Sequence, residues 1–290
     1  MSKRINRRQA LAATGLLTGS TLLPAAAWSR GNTPSNATPF SHSVCRWCFS
    51  DVPLETLIRE VKNCGIQSIE LLKPDEWPTV YQEGLACAVA TDNFISLTKG
   101  FNDPTQHERL QSYYPQLMEQ AAEQGIPNVI CFSGNRNDLS REEGLENCAR
   151  GLDKLVKKAE DLGITLIMEL LNSRVDHPDY QCDHTEWGVA LVEKIGSPHF
   201  KLLYDIYHMQ VMEGDIIATI RKHGEHIAHY HTAGVPGRNE IDDTQELYYP
   251  AIMRAIADSG FTGYVGQEFI PSDRERQFTA LREAVVRCTV

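Results

Sequence analysis

The chain has 290 residues, 42% of them hydrophobic and 23% charged, enough for one large domain with a full core. Its formal net charge of -10 repels phosphate backbones and argues against nucleic acid as a partner. Eight Cys in a chain this long do not make a dense disulfide framework.

The first 27 residues differ from the rest. Arg4, Arg7 and Arg8 make a basic start, Ala10 to Ala27 carries no charge, and the stretch closes on Ala25-Ala26-Ala27. This is the layout of a secretory signal, and Arg7-Arg8 resembles a twin-arginine signal. A periplasmic or otherwise exported location is expected, with no membrane span after signal removal. Residues 28–39 form a polar linker, and 40–290 form one catalytic domain.

Beyond the linker, short apolar runs alternate with longer stretches of helical spacing. Strands are expected near 42–49, 67–72, 85–90, 127–132, 164–170, 200–206, 227–232 and 263–269. Helices are expected over 53–63, 104–124, 141–162, 184–195, 214–224, 246–259 and 273–287. Residues 73–83 read as a loop with a short or irregular helix. Gly65, Gly163 and Gly260 stand where left-handed caps end helices. Asp183 and Ser272 stand where N-caps would begin them. Cys45 and Cys48 form a C-x-x-C that, on a strand, points its thiols to opposite faces. Cys87 and Cys131 lie in apolar runs and read as small core residues.

Eight apolar strands, nearly all followed by a helix, predict an α/β fold with a covered parallel sheet: a single-domain (β/α)8 TIM barrel. No G-x-G-x-x-G follows the first strand, so a dinucleotide fold has no specific support.

Catalytic groups of such a barrel stand at the C-terminal ends of its strands. The last four strands end on Glu169, Asp205, His231 and Glu268. A charge in an apolar run is costly unless it is paired or ligates a metal. Four in succession point to a divalent ion. Three carboxylates and one imidazole favour Mn²⁺, Mg²⁺ or Co²⁺, with Zn²⁺ also compatible. His208, placed in a loop after Asp205, and Arg238 are expected to bind substrate. Trp47 and Glu70, ending the first two strands, join them on the substrate side as an apolar wall and a carboxylate behind the ligands.

The run from LIMELLNS through LLYDIYHMQ and HYHTAGVPGRNE to YYP and GQEF resembles the hydroxypyruvate isomerase family, within the xylose-isomerase-like sugar isomerase and epimerase barrels. The resemblance implies metal ligands at Glu169, Asp205, His231 and Glu268. It also implies that Glu169 and Glu268 are the acid/base pair of an enediolate mechanism on a small sugar or hydroxy-keto acid. Hydroxypyruvate to tartronate semialdehyde is the named case. The chain departs from those isomerases at His231, Asn239 and Ile270, where they carry Gln, His and Lys, and His231 is more like the ketose epimerases. Ketose 3-epimerisation, or elimination or isomerisation of a 3-keto-glycoside, would use the same site. A non-catalytic metal-dependent sugar-binding protein would not need the paired Glu. An apurinic-site endonuclease would need more basic charge. Barrels of this type often associate, so a homo-oligomer is compatible with the chain.

Overall fold

The computed structural model describes residues 38–290. The signal over 1–27, and the linker up to Ala37, lie outside the described residues. Eight strands run in chain order: β1 Ser41–Cys45, β2 Ser68–Glu70, β3 Val89–Ala90, β4 Asn128–Cys131, β5 Thr165–Glu169, β6 Phe200–Asp205, β7 Ile227–Thr232 and β8 Tyr264–Gln267. They pair in the order β2-β1-β8-β7-β6-β5-β4-β3, every pair parallel. The two free edges meet through isolated parallel bridges, Ser68 with Ala86 and Leu72 with Ala90. The result is the nearly closed single-domain TIM barrel that the alternation predicts.

The helices are α1 Leu54–Asn63, α2 Trp77–Gln82, α3 His107–Glu123, α4 Arg141–Leu162, α5 Thr185–Ile195, α6 Ile206–Met212, α7 Ile216–His223, α8 Tyr249–Asp258 and α9 Gln277–Arg287. Strand residues are buried on both faces, because side chains fill the interior and helices cover the outside. That double burial is why these strands read as continuous apolar runs. Gly163 ends α4 at φ 70°, a left-handed conformation that costs glycine nothing.

Three local expectations are corrected. Asp183 does not cap α5. Its carboxylate accepts instead from Ser173 Oγ at 2.6 Å and pairs with Arg141 at 3.0 Å, and His184 occupies the position before the helix. Ser272 does not cap α9, which begins at Gln277; its hydroxyl bonds Glu240. His208 is not in a loop. Asp205 Oδ1 accepts from the backbone N–H of Tyr207 at 2.8 Å and of His208 at 3.2 Å, so strand β6 passes directly into α6.

The C-x-x-C spans the end of β1 and a 3₁₀ turn, Arg46–Phe49, rather than a continuous strand. All eight Cys are free and buried, as small core residues.

Candidate active site

The parallel register assembles the four strand-end groups. Asp205 and His231 are direct partners across β6 and β7. Glu169 closes β5 on one side, and Glu268 follows β8 on the other. All four side chains are buried, and one donor atom from each lies within 4.8 Å of the rest. His231 Nδ1 is 2.8 Å from Glu268 Oε2 and 3.3 Å from Glu169 Oε1.

Three carboxylates this close repel one another in a low-dielectric setting. Burial pushes the Asp205 carboxyl up to about 8, although Arg238 opposes the shift. Burial, then the charge of Glu268, pushes Glu169 up as well. Burial also disfavours charge on Glu268, but His231 and Arg238 outweigh it and hold that carboxyl well below the usual range. Left to itself the cluster is over-supplied with negative charge. An oxygen-rich set with one imidazole and that excess fits a divalent cation.

Arg238 supplies part of the balance. Its Nη2 reaches Glu268 Oε2 at 2.5 Å and Asp205 Oδ2 at 3.1 Å. The guanidinium lies 5.1 Å from the centre of the Trp47 ring and 5.4 Å from that of Tyr207. Its backbone is held at φ 59°, sparsely populated for a residue with a Cβ, and Ile270 N–H donates to its carbonyl at 2.7 Å. Trp47 is more than an apolar wall: its indole N–H donates to Glu268 Oε1 at 2.7 Å.

Glu70 does not reach the substrate side. It is fully buried beneath His231, where a single oxygen, Oε1, accepts from His231 Nε2 at 2.7 Å and from His229 Nε2 at 2.8 Å. With Nε2–H committed there, His231 presents Nδ1 to the carboxylates. Burial opposes charge on this ring, but Cys45 and Glu268 beside it outweigh burial and push the imidazole well above its ordinary range, so Nδ1 is protonated against the carboxylates and a metal bound there would displace that proton. The approach depends on Gly266, where an added Cβ would stand 2.6 Å from Glu70 Oε1 and 3.0 Å from the His231 ring. His229 is a participant that sequence reasoning missed. Its signal was the alternation in His229-Tyr230-His231, which sends both imidazoles to the inner face. Cys45 Sγ also lies 3.6 Å from His231 Nε2.

His208 is wholly buried on α6, close to Asp205. Asn172 Nδ2 donates to its Nδ1 at 2.7 Å, and its Nε2 lies 3.5 Å from Asp205 Oδ2 without a hydrogen-bond partner. Burial, then the Arg238 charge, pushes this imidazole well below its ordinary range, so it is neutral. Asn172 was not foreseen as its support.

A cavity of about 400 Å³ opens over these groups. Glu169, Glu268, Arg238, His177 and Trp47 line one part of it. Leu71, Ile95, Leu97, Ile130, Phe132 and Leu171 supply its apolar lining, with Thr91 and Lys73 beside them in the same cavity. Size and lining suit a small polar molecule with one end held by charge.

Known proteins agree with this architecture. A family model described as a xylose isomerase-like TIM barrel matches residues 58–285. The hydroxypyruvate isomerase of Escherichia coli K12 is 34% identical over 127 residues, 44% of this chain and 47% of that one. The 2-oxo-tetronate isomerase of Pectobacterium atrosepticum is 24% identical over 238 residues, 77% of this chain and 88% of that one. The structure of D-psicose 3-epimerase from Clostridium cellulolyticum H10 superposes with a TM-score of 0.71 at 16% identity, covering 86% and 98% of the two chains; this is a likeness of fold. Such relatives, with two buried glutamates facing one cavity, make the chain an isomerase. The chain belongs to the xylose isomerase-like TIM-barrel family.

Proposed function

We propose that the chain is a divalent-metal-dependent isomerase of small hydroxy-carbonyl compounds, with hydroxypyruvate and its four-carbon homologues as the leading substrates. The observation that carries this reading is the convergence of Glu169, Asp205, His231 and Glu268 within 4.8 Å, with Glu169 and Glu268 lining a cavity. These four would hold the ion, with Mn²⁺, Mg²⁺ or Co²⁺ preferred by the donor set. When bound, the ion supplies positive charge that polarises a substrate carbonyl and its neighbouring hydroxyl.

The chain's own residues do the rest. Glu169 and Glu268 approach the cavity from β5 and β8, on either side of Asp205 and His231. One can take a proton from carbon while the other returns one to the neighbouring position. Arg238 and the Trp47 indole hold Glu268 from two directions and fix its orientation. His208 is wholly buried and does not line the cavity; its Nε2, 3.5 Å from Asp205 Oδ2 and without another partner, would steady that carboxylate from behind. Because the ring is neutral, it can donate there without adding charge.

Ketose 3-epimerisation is the second reading, favoured by His231 where hydroxypyruvate isomerases resemble one another in carrying Gln. Both readings begin with the same proton transfer and part only at the carbon that receives it. Incubation of Mn²⁺-loaded protein in deuterium oxide, with hydroxypyruvate, 2-oxo-tetronate and free ketoses offered separately, tests both. Uptake of deuterium at carbon with a shifted carbonyl supports isomerisation, and uptake with inverted configuration supports epimerisation. No uptake into any of them refutes both.

Export through the twin-arginine-type signal is part of the same proposal. Amino-terminal sequencing of periplasmic material should begin near Trp28, and an intact Met1 would refute signal removal.

A further inference from the structure

The cavity has a second charged feature that the proton-transfer chemistry does not use. Lys73 stands on its wall, three residues beyond the end of β2. In the strand order β2 lies four places from β6, directly across the mouth from Asp205. Leu71, Ile95 and Leu97 line the same cavity. Among the described residues it forms no ion pair, and the hydrogen bonds at position 73 come from its backbone alone.

The segment that carries it is firmly held. Leu71 adopts φ 56°, an unfavourable left-handed conformation for a branched side chain, and its N–H donates to Val89 O at 2.8 Å. Thr91 N–H and the Trp77 indole both donate to Leu72 O, at 3.1 Å each. Glu76 accepts from Lys73 N–H at 3.1 Å and is itself paired with Arg46 at 3.3 Å. The backbone from 71 to 76 is therefore a pinned platform, and strain of this kind collects at binding sites.

Charge bookkeeping gives Lys73 its role. A divalent ion held by the four ligands would, with the Arg238 guanidinium, cancel the charges of Glu169, Asp205 and Glu268. With that ion bound His231 would be a neutral ligand, and His177 is pushed toward its neutral form by burial and by Arg238. Among the described residues Lys73 is then the one cation lining the cavity with no counter-charge. An unpaired ammonium on a half-buried cavity residue gains most from a carboxylate that arrives with the substrate. A 400 Å³ cavity, on the order of a dozen water volumes at roughly 30 Å³ each, leaves room for a short chain between that amine and the floor.

We propose that Lys73 is a specificity-determining residue that binds the carboxylate of a hydroxy-keto acid, so that the site selects acids over neutral ketoses. The inference rests on the metal-isomerase reading above. It is tested with Mn²⁺-loaded full-length mature protein, measuring kcat and KM for hydroxypyruvate, 2-oxo-tetronate and a neutral ketose. Lys73→Met should raise KM for the acids by about 10- to 100-fold with kcat nearly unchanged, and leave the neutral ketose as in the parent. Lys73→Arg should restore most of the acid affinity, which a merely structural role would not require. Equal KM values in Lys73→Met and parent, equal losses on acids and ketose, or a parent that acts on neutral ketoses alone would each overturn the assignment while leaving the isomerase reading intact. A parent inactive on every substrate would instead refute the isomerase reading, and a thermal melt of each variant separates lost binding from lost folding.

Discussion

The two halves of the barrel mouth are built for different tasks. The ends of β5 to β8 carry Glu169, Asp205, His231 and Glu268, buried and crowded until their carboxyls are driven apart in acidity. The ends of β2 to β4 carry Leu71, Ile130 and Phe132, with one amine. On the proposed reading, one side concentrates charge for a cation and a proton. The other supplies shape and a single point of attraction. A barrel can divide its mouth in this way because each strand end is an independent position on one rigid frame.

Changes on the charged side should damage chemistry, and changes on the apolar side should damage stability. The largest effect belongs to the glutamates. Glu169→Gln or Glu268→Gln should lower kcat by about 10³- to 10⁴-fold while the far-ultraviolet spectrum is retained. Activity within tenfold of the parent would remove that residue from the acid/base pair.

Next comes Ile130→Ala, a fully buried position of the other wall, which should cost about 2–5 kcal/mol in denaturant unfolding. Its Mn²⁺ affinity should stay within threefold of the parent. A large loss of metal binding there would break the division of labour.

Glu70→Gln probes the support beneath the charged side. It keeps an acceptor for one imidazole but removes the charge shared by His229 and His231. Calorimetric titration should show Mn²⁺ affinity about 10- to 100-fold weaker. An unchanged affinity would mean that His231 holds its tautomer unaided.

Smaller effects come from positions remote from the mouth or from doubled roles. Burial lowers the His42 imidazole from 6.5 to about 4. The folded state therefore excludes a proton that the unfolded chain accepts. Stability from this site is complete above pH 6.5 and declines as pH falls to about 4, by up to about 1.4 kcal/mol per pH unit. His42→Gln should flatten the pH dependence of unfolding in that window. Asp205, a proposed ligand, also caps α6, so Asp205→Ala should be about 1 kcal/mol less stable than Asp205→Asn, which can still cap. Equal stabilities would show that the cap contributes little.

Most of this was legible in the sequence for a physical reason. A carboxylate at the end of an apolar strand is expensive, so Glu169, Asp205 and Glu268 stand out against their neighbours. Their periodicity within eight strand–helix units fixes which end of the barrel they share. Less was legible where one residue serves two elements. The α6 sequence Ile206-Tyr207-His208-Met209-Gln210-Val211-Met212 reads as a strand continued into a loop, because Asp205 is at once strand end and N-cap. The pairing of His229 with Glu70 links residues 159 positions apart, and only the closure of the sheet brings them together. The partners of Asp183 and Ser272 are likewise distant in sequence, and local cap patterns cannot anticipate them.

The central claim is that the four strand-end residues bind a divalent ion and move a proton at a carbon next to a carbonyl. Solvent-deuterium exchange into hydroxypyruvate, followed by nuclear magnetic resonance with and without Mn²⁺, tests it most directly. The account predicts exchange that depends on Mn²⁺, is abolished by a chelator and falls by at least about 10³-fold in Glu268→Gln. Exchange at the same rate without metal, or undiminished in Glu268→Gln, would contradict it.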